Sequence, residues 1–304
     1  MENQFATPIL FVIFNRPNNT RQVFEAIRKI KPAKLYIAAD GARRNKVGED
    51  KLCAETRKVV ENIDWACEVK RKYSDVNLGC EIGVSSAITW FFENVEQGII
   101  LEDDCLPDLS FFNFCQELLE RYKDVDKVKI ISGSNLHFGK KYGEESYFFS
   151  SLPTVWGWAT WRRAWDLFDL EMEGLEEYIS SNKMYELFKD RKMVDFWSNH
   201  FRHVKYKNID TWDAQWLYAI LKNKGVGIMP NVNLISNIGF GKGSTHTKEV
   251  DTPLNKIPLE KISTLIHPKS IIVNEKADEH LFYTLFYRSF IQKVISKMKT
   301  ILSV

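Results

Sequence analysis

Residues 8–17 read PILFVIFNRP, and this stretch decides the fold class. The seven apolar residues at 8–14 are typical of a strand that is buried on both faces of a parallel sheet. The polar residues and the proline at 15–17 then end the strand. Apolar residues recur at helical spacing from Thr20 to Ile30, so a helix is predicted to follow.

The same alternation of strand and helix continues to about residue 132. Further strands are predicted at Leu35–Ala39, Glu68–Arg71, Gly98–Leu101 and Val128–Ser132, and further helices around 52–63, at Val84–Asn94 and at Phe111–Tyr122. This pattern predicts a doubly wound, mixed α/β sheet with helices on both faces. In such a sheet, ligands bind at the carboxyl ends of the strands.

The composition changes after the last of these strands. The alternation gives way to Trp-rich segments with irregular spacing, so we expect a boundary near residue 135 between an α/β half at 1–135 and a second half at 136–270. Residues 271–304 are expected to form a helical tail. Its last part, Leu281–Val304, is apolar, aromatic and basic, with no acidic residue after Glu279. An amphipathic basic helix either contacts a membrane surface or packs on the protein's own core, and both readings stay open.

Composition excludes several classes of protein. The 304 residues include 42 Lys and Arg against 40 Asp and Glu, a balance without the basic excess of a nucleic-acid binder. The five cysteines have no C-x-x-C spacing and an odd count, which favours a reducing compartment. No window holds the ~18 uninterrupted apolar residues of a membrane-spanning helix. We therefore expect a cytoplasmic protein.

The sharpest chemical signal is the acidic run Glu102, Asp103 and Asp104, which directly follows the apolar strand Gly98–Leu101. Adjacent carboxylates repel one another unless a cation or hydrogen-bond donors compensate. Mg²⁺ and Mn²⁺ prefer such oxygen ligands, often together with substrate phosphates. The alternative is a solvated turn that caps the helix starting near Ser110.

Two further aspartates are candidates. Asp40 and Gly41 close the second predicted strand, so the Asp40 carboxylate could accept a hydrogen bond from a base or ribose, although Asp-Gly is also a common plain turn. Asp213 lies in the run TWDAQW at 211–216. Rings on both sides could desolvate Asp213 and raise its pKa towards that of a general base, and the alternative is a helix cap.

Two more segments carry unusual compositions. Residues 156–165 contain four Trp, whose rings pack either on the apolar faces of sugars or inside the core. Residues 239–246 read GFGKGSTH, which could wrap a diphosphate with backbone N–H groups and the Lys242 charge and then close as a lid. An ordinary loop is the alternative for this segment.

In their order along the chain, these pieces resemble a known family. The run at 9–17, Asp40-Gly41, the run at 98–104 and the later WGW, WD and GFGKGSTH pieces resemble the inverting nucleotide-sugar glycosyltransferases of the GT-A fold. The pattern is nearest to N-acetylglucosaminyltransferase I and its bacterial relatives. The likeness spans roughly residues 7–248. It implies a metal-dependent enzyme that uses a nucleotide-diphosphate sugar, expected to be UDP-linked.

The resemblance also implies roles for individual residues. Arg16 and Asp40 would lie near the base, Asp103 near the ribose, Asp104 on Mn²⁺ or Mg²⁺, and Asp213 would be the catalytic base. The wider nucleotide-sugar site would include Asn15, Glu102, Gly157, Trp158, Lys242, Ser244 and His246. The loop at 239–246 matches the family segment that folds over the donor diphosphate.

The expected acceptor is a saccharide or a lipid-linked oligosaccharide. The eukaryotic members of the family carry a membrane anchor and a stem before the first strand, whereas the first predicted strand here begins near residue 8, so we do not expect an N-glycan acceptor. Two rivals remain. A nucleotidyltransferase would have a glycine-rich loop after the first strand, whereas residues 15–19 read NRPNN. A catalytically inert protein that binds carbohydrate or nucleotide sugar would share the binding residues but not need Asp213.

Overall fold

The computed structural model describes residues 4–207, 209–240 and 253–287. In this part of the chain, strands form one eight-stranded sheet and one two-stranded sheet. The strands are β1 (Ile9–Ile13), β2 (Lys34–Ala39), β3 (Glu68–Tyr73), β4 (Gln97–Glu102), β5 (Cys105–Pro107), β6 (Val128–Ser132), β7 (Tyr147–Ser150), β8 (Trp158–Trp161), β9 (Val226–Pro230) and β10 (Ile235–Asn237).

The helices of the described residues alternate with the strands in the first half and cluster in the second. They are α1 (Pro17–Ile30), α2 (Glu49–Val59), α3 (Gly79–Asn94), α4 (Ser110–Arg121), α5 (Arg162–Trp165), α6 (Leu175–Ser180), α7 (Lys183–Leu187), α8 (Arg191–Lys207), α9 (Asp213–Lys222) and α10 (Glu275–Leu281). A 3₁₀ turn covers Pro253–Lys256, and a π-helical turn covers Phe282–Tyr287.

The large sheet has the strand order β3-β2-β1-β4-β8-β6-β9-β7. Strands β1 to β4 are parallel, and β6 pairs with β9 in parallel. Strand β8 runs antiparallel to both of its neighbours, β4 and β6. Strands β4 and β6 therefore point in the same direction. The carboxyl ends of β1, β2, β3, β4, β6 and β9 therefore meet at one edge. The predicted mixed, doubly wound sheet is confirmed.

Alternating side chains of β1 show how the sheet is covered on both faces. Ile9, Phe11 and Ile13 pack in one cluster with residues of α1 and α4, while Leu10 packs in a second cluster with residues of α3 and α9. All four side chains are buried. The unbroken apolar run at 8–14 is explained by this burial on both sides.

The described beginning of the tail packs on the protein. Ala277, Leu281 and Phe282 are fully buried, and the latter two join a cluster with residues of α8 and α9. For residues 275–287 the structure therefore favours the packing reading over a membrane contact. Residues 288–304, which carry the predicted basic charges, lie outside the described residues. In the described part of the chain, no helix is long and apolar enough to cross a bilayer.

The boundary near residue 135 runs through a shared sheet. Strand β6, before the boundary, pairs with β8 and β9, which follow it. The division into 1–135, 136–270 and 271–304 stays a prediction.

Candidate active site

A cavity of about 1030 Å³ opens at the edge where the parallel strands end. Its wall combines the ends of β1, β2 and β4 with residues of α3, α8 and α9. Six of the predicted site residues line this one cavity: Arg16, Asp40, Glu102, Asp103, Asp104 and Asp213. The fold thus brings together carboxylates that are more than a hundred residues apart in the chain.

Arg16 lies at the centre of the acidic cluster. It immediately precedes α1, whose first residue is Pro17, so the end of β1 delivers it to the sheet edge. Its Nη1 donates to Asp103 Oδ1 at 3.0 Å and to Asp104 Oδ2 at 2.6 Å. Asp103 is 4% exposed and also accepts the backbone N–H of Phe14 at 3.0 Å. One guanidinium therefore joins the first strand of the sheet to the end of β4.

The cluster has three carboxyl groups, at Glu102, Asp103 and Asp104, around the guanidinium of Arg16. Burial raises the pKa of both Glu102 and Asp103, and the neighbouring Asp104 carboxylate raises them further, while Arg16 acts in the opposite direction. Among the described residues, none donates a hydrogen bond to the Glu102 carboxyl. The following helix does not use the acidic run as a cap either, since the Ser110 N–H donates to Asp108. The acidic run at 102–104 therefore does not cap α4, and that alternative is wrong.

The cluster has the donor chemistry of a magnesium or manganese site. Within the described residues, no group of three or more His, Cys, Asp or Glu side chains encloses a metal position. Mg²⁺ is often held by only one or two carboxylates, with waters and substrate phosphates completing its shell. Asp104 and the unpartnered Glu102 carboxyl fit that smaller requirement.

Asp40 organises the loop that leads into α3. Its carboxylate accepts the Asn77 Nδ2 at 2.9 Å and the backbone N–H groups of Leu78 and Gly79 at 2.9 and 3.2 Å. Burial raises the pKa of Asp40, and the backbone hydrogen bonds from Leu78 and Gly79 act against the rise. Since its acceptor positions are occupied by its own chain, a contact between Asp40 and a base or ribose stays a prediction.

Asn15 does not line the cavity but supports a residue that does. Its Nδ2 donates to Glu49 Oε1 at 2.9 Å, and Glu49 also forms an ion pair with Arg43. Arg43 lines the cavity, with its guanidinium 5.5 Å from the centroid of the Phe14 ring. Arg43 is a site residue that the sequence patterns above do not predict, and its position three residues after Asp40 is the signal that points to it.

Asp213 is the first residue of α9 and is exposed. Its Oδ1 accepts the Thr211 hydroxyl and its own helix's Ala214 N–H. The expected desolvation by the flanking rings is wrong, because Trp212 and Trp216 are four residues apart and share the buried face of the helix. Asp213 instead faces the cavity, close enough to contribute to the raised pKa of Glu102.

The structure does not bring Gly157 and Trp158 into the cavity. Trp158 lies in β8, is 1% exposed and stacks on Trp212 at a centroid distance of 5.6 Å. Gly157 has φ +57°, and Ile235 packs where its Cβ would be. Trp156 is the ring of this segment that lines the cavity. The Trp-rich segment is therefore mainly core, because β8 is a central strand covered on both faces.

The glycine-rich loop begins beside the acidic cluster. The Ile238 N–H donates to the Asp104 carbonyl at 2.8 Å, and a Cβ at Gly239 would collide with the Asp104 carboxylate. Phe240 contacts the edge of the Trp156 ring at a centroid distance of 6.0 Å. Lys242, Ser244 and His246 lie outside the described residues, so their predicted roles and the lid stay predictions.

The chain was compared with known proteins. Neither protein-family models nor curated protein sequences gave a match. Among solved structures, it is similar to residues 1–349 of TarS from S. aureus, at 10% identity over 71% of each chain with a TM-score of 0.36. It is also similar to an apo UDP-glucose pyrophosphorylase, at 11% identity over 75% of this chain and 93% of that one, with a TM-score of 0.37.

A third similar structure is a cytidylyltransferase from Leptospira borgpetersenii, at 10% identity with a TM-score of 0.33. The alignment covers 55% of this chain and 64% of that one, so this chain spans less than two thirds of its length. Overlaps of this extent carry no argument about activity.

Proposed function

We propose that this chain is a metal-dependent inverting glycosyltransferase. It would move a sugar from a nucleotide-diphosphate sugar, UDP-linked, to a hydroxyl of a saccharide or lipid-linked acceptor. The observation that carries the proposal is the single cavity lined by the acidic cluster of β4 and, from a separate element, by Asp213. A transfer reaction needs a leaving-group site and a base in one cavity, and the presence of both kinds of carboxylate in this lining supports the proposal.

The reaction is a direct displacement. The acceptor oxygen forms a bond to the anomeric carbon while the bond from that carbon to the diphosphate oxygen breaks, and the electron pair leaves with the diphosphate. Asp213 takes the proton of the acceptor hydroxyl. Exposure of Asp213 to the cavity supports this role, since a general base must reach the proton that it removes. Attack opposite the leaving group inverts the anomeric configuration.

The other residues bind and orient the donor. Arg43 and Phe14 form one wall beside the end of β1, where a base or ribose could lie. Asp104 and Glu102 would hold Mg²⁺ or Mn²⁺, whose chemistry when bound is the neutralisation of charge on the leaving diphosphate. Arg16 keeps the Asp103 and Asp104 carboxylates in place for this contact.

Two variants test the proposal. Asp213→Asn keeps the size of the side chain but cannot take a proton, so we expect turnover to fall by about 10²-fold or more with donor affinity nearly unchanged. Asp104→Asn should weaken both donor binding and the response to Mn²⁺. Binding would be measured by calorimetry, transfer with a panel of nucleotide sugars, and product configuration by proton NMR.

Three outcomes would contradict this function. Retention of configuration would exclude direct displacement. Full activity of Asp104→Asn in EDTA would exclude the metal. Donor binding without transfer in the wild type, unaffected by Asp213→Asn, would instead indicate an inert nucleotide-sugar-binding protein.

Apolar side chains in the cavity wall favour a lipid-linked acceptor over a free saccharide. The wall includes the apolar side chains of Trp197 and Val204 on α8, Leu217 on α9, and Leu285 in the π-helical turn. A purely polar acceptor gains little from such a surface, whereas an alkyl or prenyl chain would bury its apolar area there.

Leu217→Asn tests this acceptor preference, because it makes one part of the apolar wall polar. We expect the KM for a lipid-linked acceptor to rise several-fold and the KM for the same saccharide without lipid to change little. An equal change for both acceptors would contradict the lipid site.

A further inference from the structure

Asp210 lines the cavity three residues before Asp213 and has no role in the reaction described above. Its carboxylate accepts the backbone N–H of Cys80 at 3.0 Å and that of Glu81 at 2.7 Å. Both N–H groups belong to the first turn of α3, in the other half of the chain. Asp210 therefore ties the loop before α9 to the amino end of α3.

The amino end of α3 is shared between two carboxylates. A helix leaves its first N–H groups without partners inside the helix. Asp40, at the end of β2, accepts those of Leu78 and Gly79, and Asp210 accepts the next two along the chain. Because Asp40 also holds α3 to the sheet edge, loss of Asp210 would remove one connection between the loop before α9 and α3 while α3 stays attached to the sheet.

One further hydrogen bond and one glycine support the same connection between α3 and the α9 region. Gln215, in the first turn of α9 and 1% exposed, donates its Nε2 to Glu81 Oε1 at 2.7 Å. Gly79 has φ +82°, and a Cβ there would lie 3.0 Å from both oxygens of Asp210. Glycine at this position thus leaves room for the Asp210 carboxylate as well as adopting the left-handed backbone.

We propose that Asp210 is a positioning residue that fixes the position of Asp213 relative to the edge of the sheet where the parallel strands end. The inference rests on the proposed function, since it takes Asp213 as the base. Asp210 is fixed to α3 by its two backbone hydrogen bonds, and the next residue, Thr211, donates its hydroxyl to Asp213 Oδ1. A displacement of about 1 Å in a reacting group can cost about 10²-fold in rate.

The test compares Asp210→Ala and Asp210→Asn with a matched control, Asp169→Ala. Asp169 also accepts two backbone N–H groups, from Glu171 at 3.0 Å and Glu173 at 2.6 Å, but it does not line the cavity. We expect kcat of Asp210→Ala to fall about 10- to 100-fold while the donor KM stays within about twofold. Asp210→Asn, which keeps one acceptor oxygen, should lie between Asp210→Ala and wild type. Asp169→Ala should keep the wild-type kcat.

A double-mutant cycle separates positioning from general damage. If Asp210 acts through Asp213, adding Asp210→Ala to Asp213→Asn should cost no further turnover, whereas independent effects would multiply. Thermal melts establish that each variant is folded at the assay temperature. If Asp210→Ala does not fold, Asp210→Asn carries both measurements.

The results distinguish failure of the positioning role from failure of the proposed glycosyltransferase function. A wild-type chain that transfers no sugar overturns the proposed function and the positioning role together. Transfer by the wild type, with kcat of both Asp210 variants equal to that of Asp169→Ala, overturns the positioning role alone. Multiplying losses in the double mutant also overturn it.

Discussion

Replacing Asp278 with Asn should change how the stability of this protein depends on pH. Asp278 lies in α10 and is 4% exposed. Its carboxylate accepts the Ser150 hydroxyl and, at 2.8 Å, the Ser151 N–H. It thereby attaches the helix that starts the tail to the end of β7. Burial raises the pKa of Asp278 from 3.8 to about 7, and the two serine contacts oppose that rise.

The sign and size of the effect follow from this shift. A carboxyl group whose pKa is higher in the folded state binds its proton more tightly there, so its contribution to stability is complete below pH 3.8 and is lost as pH rises through about 7. A shift of about 3 units at ~1.4 kcal/mol per unit amounts to about 4 kcal/mol. The amide of Asn does not titrate, so Asp278→Asn removes this loss.

Urea unfolding at pH 5, 6, 7 and 8 would measure the difference. We expect the free energy of unfolding of Asp278→Asn, relative to wild type, to rise by about 1.4 kcal/mol per pH unit up to about pH 7 and then to level off. Asp195→Asn, whose side chain is 58% exposed, is the control and should show no such slope. A constant difference between pH 5 and 7 would refute the reasoning. A falling one would mean that the serine hydrogen bonds outweigh burial.

Other substitutions test the packing around the cavity. Gly79→Ala and Gly48→Ala share a φ of +82°, but only the first places a Cβ against Asp210, so urea unfolding should show a larger loss for Gly79→Ala. Equal losses would mean that Asp210 is not held there. Trp158→Ala should cost about 3–5 kcal/mol of stability, as expected for a buried ring. Trp156→Ala should mainly weaken ligand binding in calorimetry, and the reverse pattern would contradict the assignment of Trp156 to the cavity.

Much of the fold could be predicted from local patterns. The apolar runs at 8–14 and 98–101 contain strands that pack in clusters on both faces of the sheet, and an unbroken apolar composition is typical of such strands. Polar residues directly follow each strand, so the carboxyl edge of the sheet and its aspartates could be located before any tertiary contact was known. The acidic run ending at Asp104 lies at that edge for this reason.

The direction of β8 was decided only by the tertiary structure. A reversed strand between β4 and β6 depends on pairing with segments far away in the chain, which a local pattern does not contain. That pairing buries Trp158 and leaves Trp156 at the cavity. The run at 156–165 has no polar and apolar alternation that marks a buried face, so the sequence could not show which of the two rings is buried.

The contact partners of the aspartates likewise came only from the fold. The sequence singled out Asp40 and Asp213 by their positions, yet it could not show that Asp40 accepts hydrogen bonds from the amino end of α3 or that Asp213 is exposed beside buried rings. It also gave no sign of Asp210. Hydrogen bonds between segments 130 residues apart depend on where two helices are placed, and that placement is set by the packing of the whole core.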